Sequence, residues 1–469
     1  MRRPLLAALG GGGIAALSLP PWGWWPLGVL GLGVAAYAIL DLCAEGSWRW
    51  RAATGAAFGL GMFLPGLWWV TEFHVVGYVV LTLLETAYFA ATFAFVRTPA
   101  SFVGAVVLAE FLRNTIPFGG LPLGGLALGQ AGGPFVASAR IGGALLVLFV
   151  VAAIAVAPRR SAMAVVGVVL ALAGWVAPGG HDIGDGDGTL DVAVVQGGGR
   201  RGFRAVGSDA DDVLAAHLAA SRGLHAPLDL VLWPENAIDV IEIDGSAAGE
   251  ALAAVARRTD ATVIAGVTED EGDDGFENVA IVWSPDGEIV DRFTKVQRVP
   301  FGEWVPGRGL FERLVDLSAL PRDAVAGDEA GAIESPAGTF AVTISYEVFF
   351  ASRARSGVRD GGEVLLVPTN AASFSTSQVP GQEIAAARLR AWETGRWVLQ
   401  AAPTGYSAVI DERGRVLSRS SLGDRDVLLA DVPRRGGSTW SVRFGDWPIV
   451  LLALALVAGS MRRQRQRQL

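Results

Sequence analysis

The first 178 residues carry only 14 charged side chains, whereas the other 291 carry 70. This imbalance constrains the chain more than any motif, because stretches so poor in charge settle only where lipid or a large apolar core replaces water. Seven apolar segments fill the first part, at about 4–19, 26–43, 52–70, 74–96, 100–113, 138–157 and 161–177, and an eighth lies near 447–461. A spanning helix needs about 20 apolar residues. Several of these are shorter and glycine-rich, and arginines flanking the last extend it by snorkelling. The sequence therefore predicts a multi-pass α-helical membrane region over 1–178, a soluble domain over 179–446, and a final helix with a basic cytoplasmic tail over 447–469. The count is about eight spans. A hydrophobic content of 51% and a mean hydropathy of +0.41 exclude disorder for most of the length.

Positive charge sets the orientation. Arg2/Arg3, Arg49/Arg51, Arg97, Arg159/Arg160 and the C-terminal arginines fall on one side if the helices alternate. That side is the cytoplasm, so residues 179–446 are expected on the outer side of the membrane. Arg113 and Arg140 fall on the wrong side. Six further apolar segments make the first, after Arg2 and Arg3, a retained helix rather than a cleaved leader. Glu72, Glu85, Glu110 and Arg113 lie in or beside the helices. Glu72 reads as interfacial; Glu110 and Arg113, one turn apart, read as an internal pair.

Net charge divides as +4 before residue 179, −16 in the soluble domain and +4 in the tail. So acidic a domain excludes nucleic acid as partner. Cys43 is the only cysteine, which excludes an intrachain disulfide and a cysteine-rich metal site; no metal or cofactor is expected. Lys295 is the only lysine beside 37 arginines, which singles it out as a position that needs an amine.

Residues 180–188 read as a linker. Strands are expected at 192–196, 230–233, 262–267, 279–283, 340–344, 364–367, 398–402 and 407–410. Helices are expected at 209–222, 248–258 and 381–394, with turns at 284–287 and 411–414. The outcome is an α/β or α+β domain of about 250 residues. Sheets present reactive groups at strand ends. Glu235, Lys295 and the Ser345-Tyr346-Glu347 run sit at such ends, where a carboxylate, an amine and a hydroxyl make a base, an oxyanion stabiliser and a nucleophile. His74, His181, His217 and His225 lie outside these segments, which argues against a histidine triad.

The ordered series Trp233-Pro-Glu235-Asn-Ala, Lys295-x4-Pro-Phe-Gly-Glu303, Ser345-Tyr346-Glu347 and Pro368-Thr-Asn370 resembles the nitrilase superfamily. The helix Ala387–Arg396 and Gly405–Val409 extend the likeness. Seven spans before the domain and one after it, with Glu110-Phe-Leu-Arg113 and Arg443-Phe-Gly-Asp-Trp447, resemble its membrane-embedded branch, the apolipoprotein N-acyltransferases. The lysine-poor composition suggests an actinobacterial member. The resemblance implies an α-β-β-α sandwich on the extracytoplasmic side. It implies a monomer that passes an acyl chain from a phospholipid, through an acyl-enzyme, to the amine of a diacylglyceryl-cysteine lipoprotein. By motif position Glu235 is the general base, Lys295 the electrostatic stabiliser, residue 345 the nucleophile and Glu303 a supporting carboxylate. Tyr346, Glu347 and Asn370 support the site or bind substrate.

The family has cysteine at position 345; this chain has Ser345. The stretch Ala371-Ala-Ser-Phe-Ser375 also departs from the family. A hydroxyl ionises far less readily than a thiol, and its acyl ester reacts less readily with amines. Three origins fit: an engineered inactive variant, a natural member that uses serine, and a natural member that lost activity. The same residues also fit a lipid- or lipoprotein-binding homologue without turnover, or a membrane-tethered amidase. Trp304-Val305, Val348-Phe349-Phe350 and Phe374 are expected to guard an opening towards lipid.

Overall fold

The computed structural model describes residues 2–159, 161–182, 188–200, 210–272, 275–313, 317, 320–374 and 376–468. Arg160, residue 209, most of the 180–188 linker and Ser375 lie outside the described residues. The chain divides into two compact units, Met1–Pro178 with Thr439–Leu469, and Gly179–Ser438.

The first unit is helical. Its apolar segments form Arg2–Ala16, Trp25–Tyr37, Trp48–Gly66, Val75–Phe93, Pro99–Arg113, Ala139–Ala155, Ser161–Val176 and, near the other end of the chain, Trp447–Gln468. By length and composition three stretches among the described residues suffice to cross a membrane: Trp25–Leu42, Val75–Phe93 and Pro134–Ala155. Ser161–Val176 and Trp447–Arg462 are shorter apolar helices. Small residues bring backbones together where lipid supplies no hydrophobic drive. Helices Arg2–Ala16 and Trp48–Gly66 meet in this way, and a Cβ on Gly12 or Gly61 would run into the facing backbone at Phe58 or Leu9.

Glu110 and Arg113 do pair, at 3.3 Å, and Glu85 completes the group at 2.6 Å from Arg113 Nε. All three side chains are buried. Arg113 also donates to the carbonyls of Leu121 and Leu123 at 3.1 and 2.6 Å, fastening the loop that follows its helix. An arginine neutralised inside the protein by two carboxylates carries little weight as a topology signal.

The second unit stacks two sheets. One has eight strands, six of them in the spatial order Asp426–Pro433, Thr189–Gln196, Leu230–Leu232, Thr262–Glu271, Gly275–Trp283 and Ile289–Thr294. The other has six, in the order Val416–Arg419, Ala408–Ile410, Val398–Ala401, Val364–Pro368, Gly338–Val342 and Ala332–Ser335. Alternation divides each strand between two cores. Val192, Val194, Leu230 and Leu232 meet Phe340, Val342, Ile344 and Leu366 between the sheets, while Ala193, Val195, Val231 and Trp233 pack with Leu252 and Ala256 of helix Ala247–Thr259. On the other sheet, helices Ala351–Arg359 and Val379–Thr394 provide the outer cover.

Several elements escaped the sequence reading. His181–Asp182, read as linker, pairs antiparallel with Arg435–Gly436. Strands Ile289–Thr294, Ala332–Ser335, Val416–Arg419 and Asp426–Pro433 and helix Ala351–Arg359 are also present. Most residues of these four strands and this helix are partly buried or exposed, so hydrophobic periodicity marks them weakly. The unit ends at Ser438, and Trp440–Phe444, capped by the Thr439 hydroxyl on Val442 N at 3.1 Å, belongs with the helices.

Candidate active site

Glu235 follows strand Leu230–Leu232 at a turn that the neighbouring strand approaches closely. Any Cβ on Gly266 would collide with the Glu235 Cα and the Pro234 carbonyl. Lys295 leaves strand Ile289–Thr294, its amide bonded to the Asn278 carbonyl at 2.8 Å. The two side chains meet: Lys295 Nζ donates to Glu235 Oε1 at 2.8 Å and to Glu303 Oε1 at 2.6 Å. Asn278 Nδ2 donates to Glu235 Oε1 at 2.6 Å and reaches Glu303 Oε1 at 3.4 Å. Glu303 Oε2 takes the Val299 amide at 2.7 Å, which closes the Lys295–Glu303 loop on itself.

Two carboxylates and one ammonium, nearly dry, carry a net negative charge. Burial pushes Glu235 above the usual carboxylate range; the Lys295 cation opposes this and the Glu303 charge adds to it. Burial works against the Lys295 ammonium too, but Glu235 and Glu303 outweigh it and hold the lysine above its ordinary value. Lys295 is thus a fixed cation, and Glu235 is a carboxylate tuned upwards, as a general base requires.

Ser345 opens a single 3-10 turn, Ser345–Phe349, after strand Gly338–Val342. Its φ of +52° is a left-handed value that serine adopts at a cost of about 1–3 kcal/mol. Of the five described non-glycine residues with positive φ, three lie in this region: Asn236 after Glu235, Phe301 before Glu303, and Ser345. Strain concentrated at three site turns points to function rather than chance. The hydroxyl of Ser345 is bonded by Thr369 Oγ1 at 3.2 Å, and the same Thr369 oxygen lies 2.8 Å from Glu383 Oε1. Burial raises the Glu383 carboxyl to about 8; the Thr369 hydrogen bond and Lys295 oppose the shift, and Glu235 adds to it.

The remaining expected residues divide by role. The Glu347 carboxylate is an anchor: Oε1 accepts the amides of Val296 and Gln297 at 3.0 and 2.9 Å, and Oε2 the amide of Ile344 at 2.9 Å. Tyr346 is buried edge-on against Phe350, with ring centroids 5.0 Å apart. Asn370 Oδ1 caps its own turn, accepting from Ala372 N at 3.1 Å. Among the expected guard residues, Val305, Val348 and Phe350 are core residues at 3%, 0% and 7% exposure, and Phe349, Trp304 and Phe374 are half-buried. The open apolar side chains of this region are instead Phe301 and Leu310, at 53% and 62%. Arg390 and Glu393 pair at 3.1 Å inside their helix, and Arg396 donates to the carbonyls of Gly362 and Gly437, both at 2.8 Å, so that motif builds the scaffold.

Sequence reasoning missed Asn278 and Glu383 and gave Thr369 no role. The usable signal for Glu383 was a carboxylate set among Ile384, Ala385 and Ala386 on a helix. For Asn278 it was an amide side chain inside the apolar strand Gly275–Trp283. Among the described residues no group of three or more His, Cys, Asp or Glu side chains is arranged to hold a metal.

Two family models match the chain: carbon-nitrogen hydrolase over residues 191–441, and apolipoprotein N-acyltransferase N-terminal domain over residues 11–157. The apolipoprotein N-acyltransferase of Mycolicibacterium smegmatis is 30% identical over 512 residues, covering 97% of this chain and 84% of that protein. That of Shewanella oneidensis is 28% identical over 499 residues, covering 97% and 95%. Among solved structures, Saccharomyces cerevisiae Nit3, a member of branch 10 of the nitrilase superfamily, is 19% identical with a TM-score of 0.39. It covers 55% of this chain and 92% of that one.

Proposed function

The chain belongs to the apolipoprotein N-acyltransferase family, and from that premise we propose that it moves an acyl chain from a phospholipid to the N-terminal amine of a diacylglyceryl-cysteine lipoprotein. The observation that carries this reading is the Lys295 ammonium held at 2.8 and 2.6 Å between Glu235 and Glu303, on a loop tied to the Ser345 turn.

Ser345 Oγ attacks the ester carbonyl of the phospholipid while Glu235 takes its proton. The ammonium of Lys295 stabilises the oxyanion that forms. The ester bond breaks, and Glu235 returns the proton to the departing glycerol oxygen. In the second half the lipoprotein amine attacks the acyl ester and Glu235 takes the amine's proton. The Ser345 Oγ–acyl bond breaks, and Glu235 gives that proton to Ser345 Oγ, which leaves as a hydroxyl. Glu303 and Asn278 hold Lys295 and Glu235 in register. The oxygen ester is a less reactive acyl donor than a thioester, so the amine step depends heavily on the cation.

The membrane part crosses the bilayer eight times. The three long apolar stretches support this, as do the two shorter apolar helices, the three further helices of the same unit and the arginines between them. The −16 domain then faces away from the cytoplasm, and the protein works as a monomer at the plasma membrane.

The test compares the unchanged chain, Ser345→Ala and Ser345→Cys in detergent, with a labelled diacylglyceryl lipopeptide and phospholipid, and reads acyl groups on residue 345 by mass spectrometry. We expect the unchanged chain to exceed Ser345→Ala and Ser345→Cys to exceed both. An unchanged chain equal to Ser345→Ala beside an active Ser345→Cys would make this a disabled acyltransferase. Silence in all three would favour a lipoprotein-binding protein.

A further inference from the structure

Glu383 has no place in the reaction just described, yet it stands two hydrogen bonds from the nucleophile. It sits 3% exposed on helix Val379–Thr394. Its Oε1 lies 2.8 Å from Thr369 Oγ1, which lies 3.2 Å from Ser345 Oγ. Its Oε2 has no hydrogen-bond partner among the described residues. A buried carboxylate normally collects donors, as Glu347 does with three backbone amides. Glu383 collects one hydroxyl, which suits a neutral acid.

A threonine hydroxyl has one proton to give. If Glu383 is ionised, Thr369 must give its proton to the carboxylate, and only its lone pairs face Ser345. The Ser345 proton is then drawn to Thr369, away from Glu235. If Glu383 is neutral, its own O–H serves Thr369, and the Thr369 proton turns to Ser345 Oγ. The Ser345 proton is then free for Glu235, and the Thr369 hydrogen bond supports the negative charge that grows on Ser345 Oγ during attack.

We propose that Glu383 is a positioning residue for the Ser345 hydroxyl, acting through Thr369: as a neutral acid it sets the hydrogen-bond chain that activates Ser345, and as a carboxylate it reverses it. This rests on Ser345 being the nucleophile of the proposed acyl transfer. No proton is lost from Glu383 or Thr369 in the step; the Ser345 proton alone moves, to Glu235.

The surroundings favour the neutral form. Burial pushes the Glu383 carboxyl to about 8; the Thr369 hydrogen bond and Lys295 oppose this, while Glu235 adds to it. On its own helix, Arg390 pairs with Glu393 and Arg388 donates to the Gly414 carbonyl. From the turn packed against that helix comes Glu347, paired with Arg353 at 3.3 Å. The helix Ala351–Arg359 adds Arg355 and Arg359.

Two measurements on the full chain in detergent test the proposal. The first is infrared difference spectroscopy between the unchanged chain and Glu383→Gln. It should reveal the carbonyl band of one neutral carboxylic acid at pH 7, fading as pH rises through about 8 and shifting in Thr369→Val but not in Thr369→Ser. The second is the single-turnover rate of residue 345 acylation by phospholipid from pH 6 to 9. In the unchanged chain it should fall about tenfold between pH 7 and 9. Glu383→Gln, whose amide always donates, should lose that fall; Glu383→Ala should be slow throughout; Thr369→Ser should keep the native profile. A missing acid band, or an unchanged alkaline fall in Glu383→Gln, overturns the proposal. No acylation in any variant beside a normal acid band overturns the nucleophile reading and, with it, the activating role.

Discussion

The Glu347 carboxylate accepts the backbone amide of Val296 at 3.0 Å, and this contact joins the two halves of the site. Val296 follows Lys295 on one sheet, and Glu347 lies two residues after Ser345 on the other. A second amide from Gln297 and a third from Ile344 leave the carboxylate fully buried and shared between the loops. Supporting hydrogen bonds of this kind hold the side chains of a site in place when they come from separate loops.

Glu347→Ala therefore leaves three backbone amides, one buried at Ile344 and two partly buried at Val296 and Gln297, without an acceptor. We expect a loss on the order of 3 kcal/mol, read as a lower melting temperature of the second unit. Glu347→Gln turns an NH2 towards donors and should recover less than half of that loss. A variant with unchanged melting behaviour would remove Glu347 from the frame of the site.

Lys295→Arg keeps the charge but not the shape. A planar guanidinium in place of a point cation, between carboxylates already at 2.8 and 2.6 Å, moves both. Acyl transfer should be lost in this background and equally in Ser345→Cys. Full lipopeptide acylation by Lys295→Arg would show that the lone lysine is accidental.

His217 supplies a pH dependence of stability. It is buried against Trp233, with ring centroids 5.3 Å apart, and burial lowers it from 6.5 to about 4. Between those values the unfolded chain binds a proton that the folded chain refuses. Stability from this site is thus complete above pH 6.5 and declines as pH falls towards 4, by about 3 kcal/mol in all. His217→Phe should flatten that part of the profile in melts taken from pH 7 to 4.

Glu383 has the opposite sign. Its folded value of about 8 lies above the ordinary 4.5, so its contribution is complete below pH 4.5 and is lost as pH rises through 8. Glu383→Gln should gain on the unchanged chain in melts between pH 6 and 9.

Arg113 neutralises Glu85 and Glu110 at 2.6 and 3.3 Å inside the helical unit. Arg113→Met leaves two buried carboxylates facing each other and should cost about 3–5 kcal/mol, read as loss of folded protein in detergent. Adding Glu85→Gln and Glu110→Gln should restore much of it. If the single variant folds normally, the triad is dispensable.

Charge density and apolar run length belong to the chain itself, so the division into a helical part and a soluble part was legible in the sequence. The strand expected at 192–196, within Thr189–Gln196, and the one expected at 230–233, with Leu230–Leu232, declared themselves too, because these runs are buried and largely apolar. Glu235 and Ser345 stood out by type and by position at strand ends and Lys295 also as the only lysine, whereas Glu303 was marked only by the resemblance of its motif. Hydrogen-bond partnership is different, since it depends on which segments of distant sequence are brought together. Only the tertiary structure decided that Asn278 bridges Glu235 and Glu303, that Glu347 anchors the Lys295 loop, and that Ser345 is bonded by Thr369 with Glu383 behind it. The same holds for burial. Phe350 and Phe301 are equally apolar in sequence, yet one faces Tyr346 in the core and the other stands in the open, because local periodicity ends where irregular loops begin.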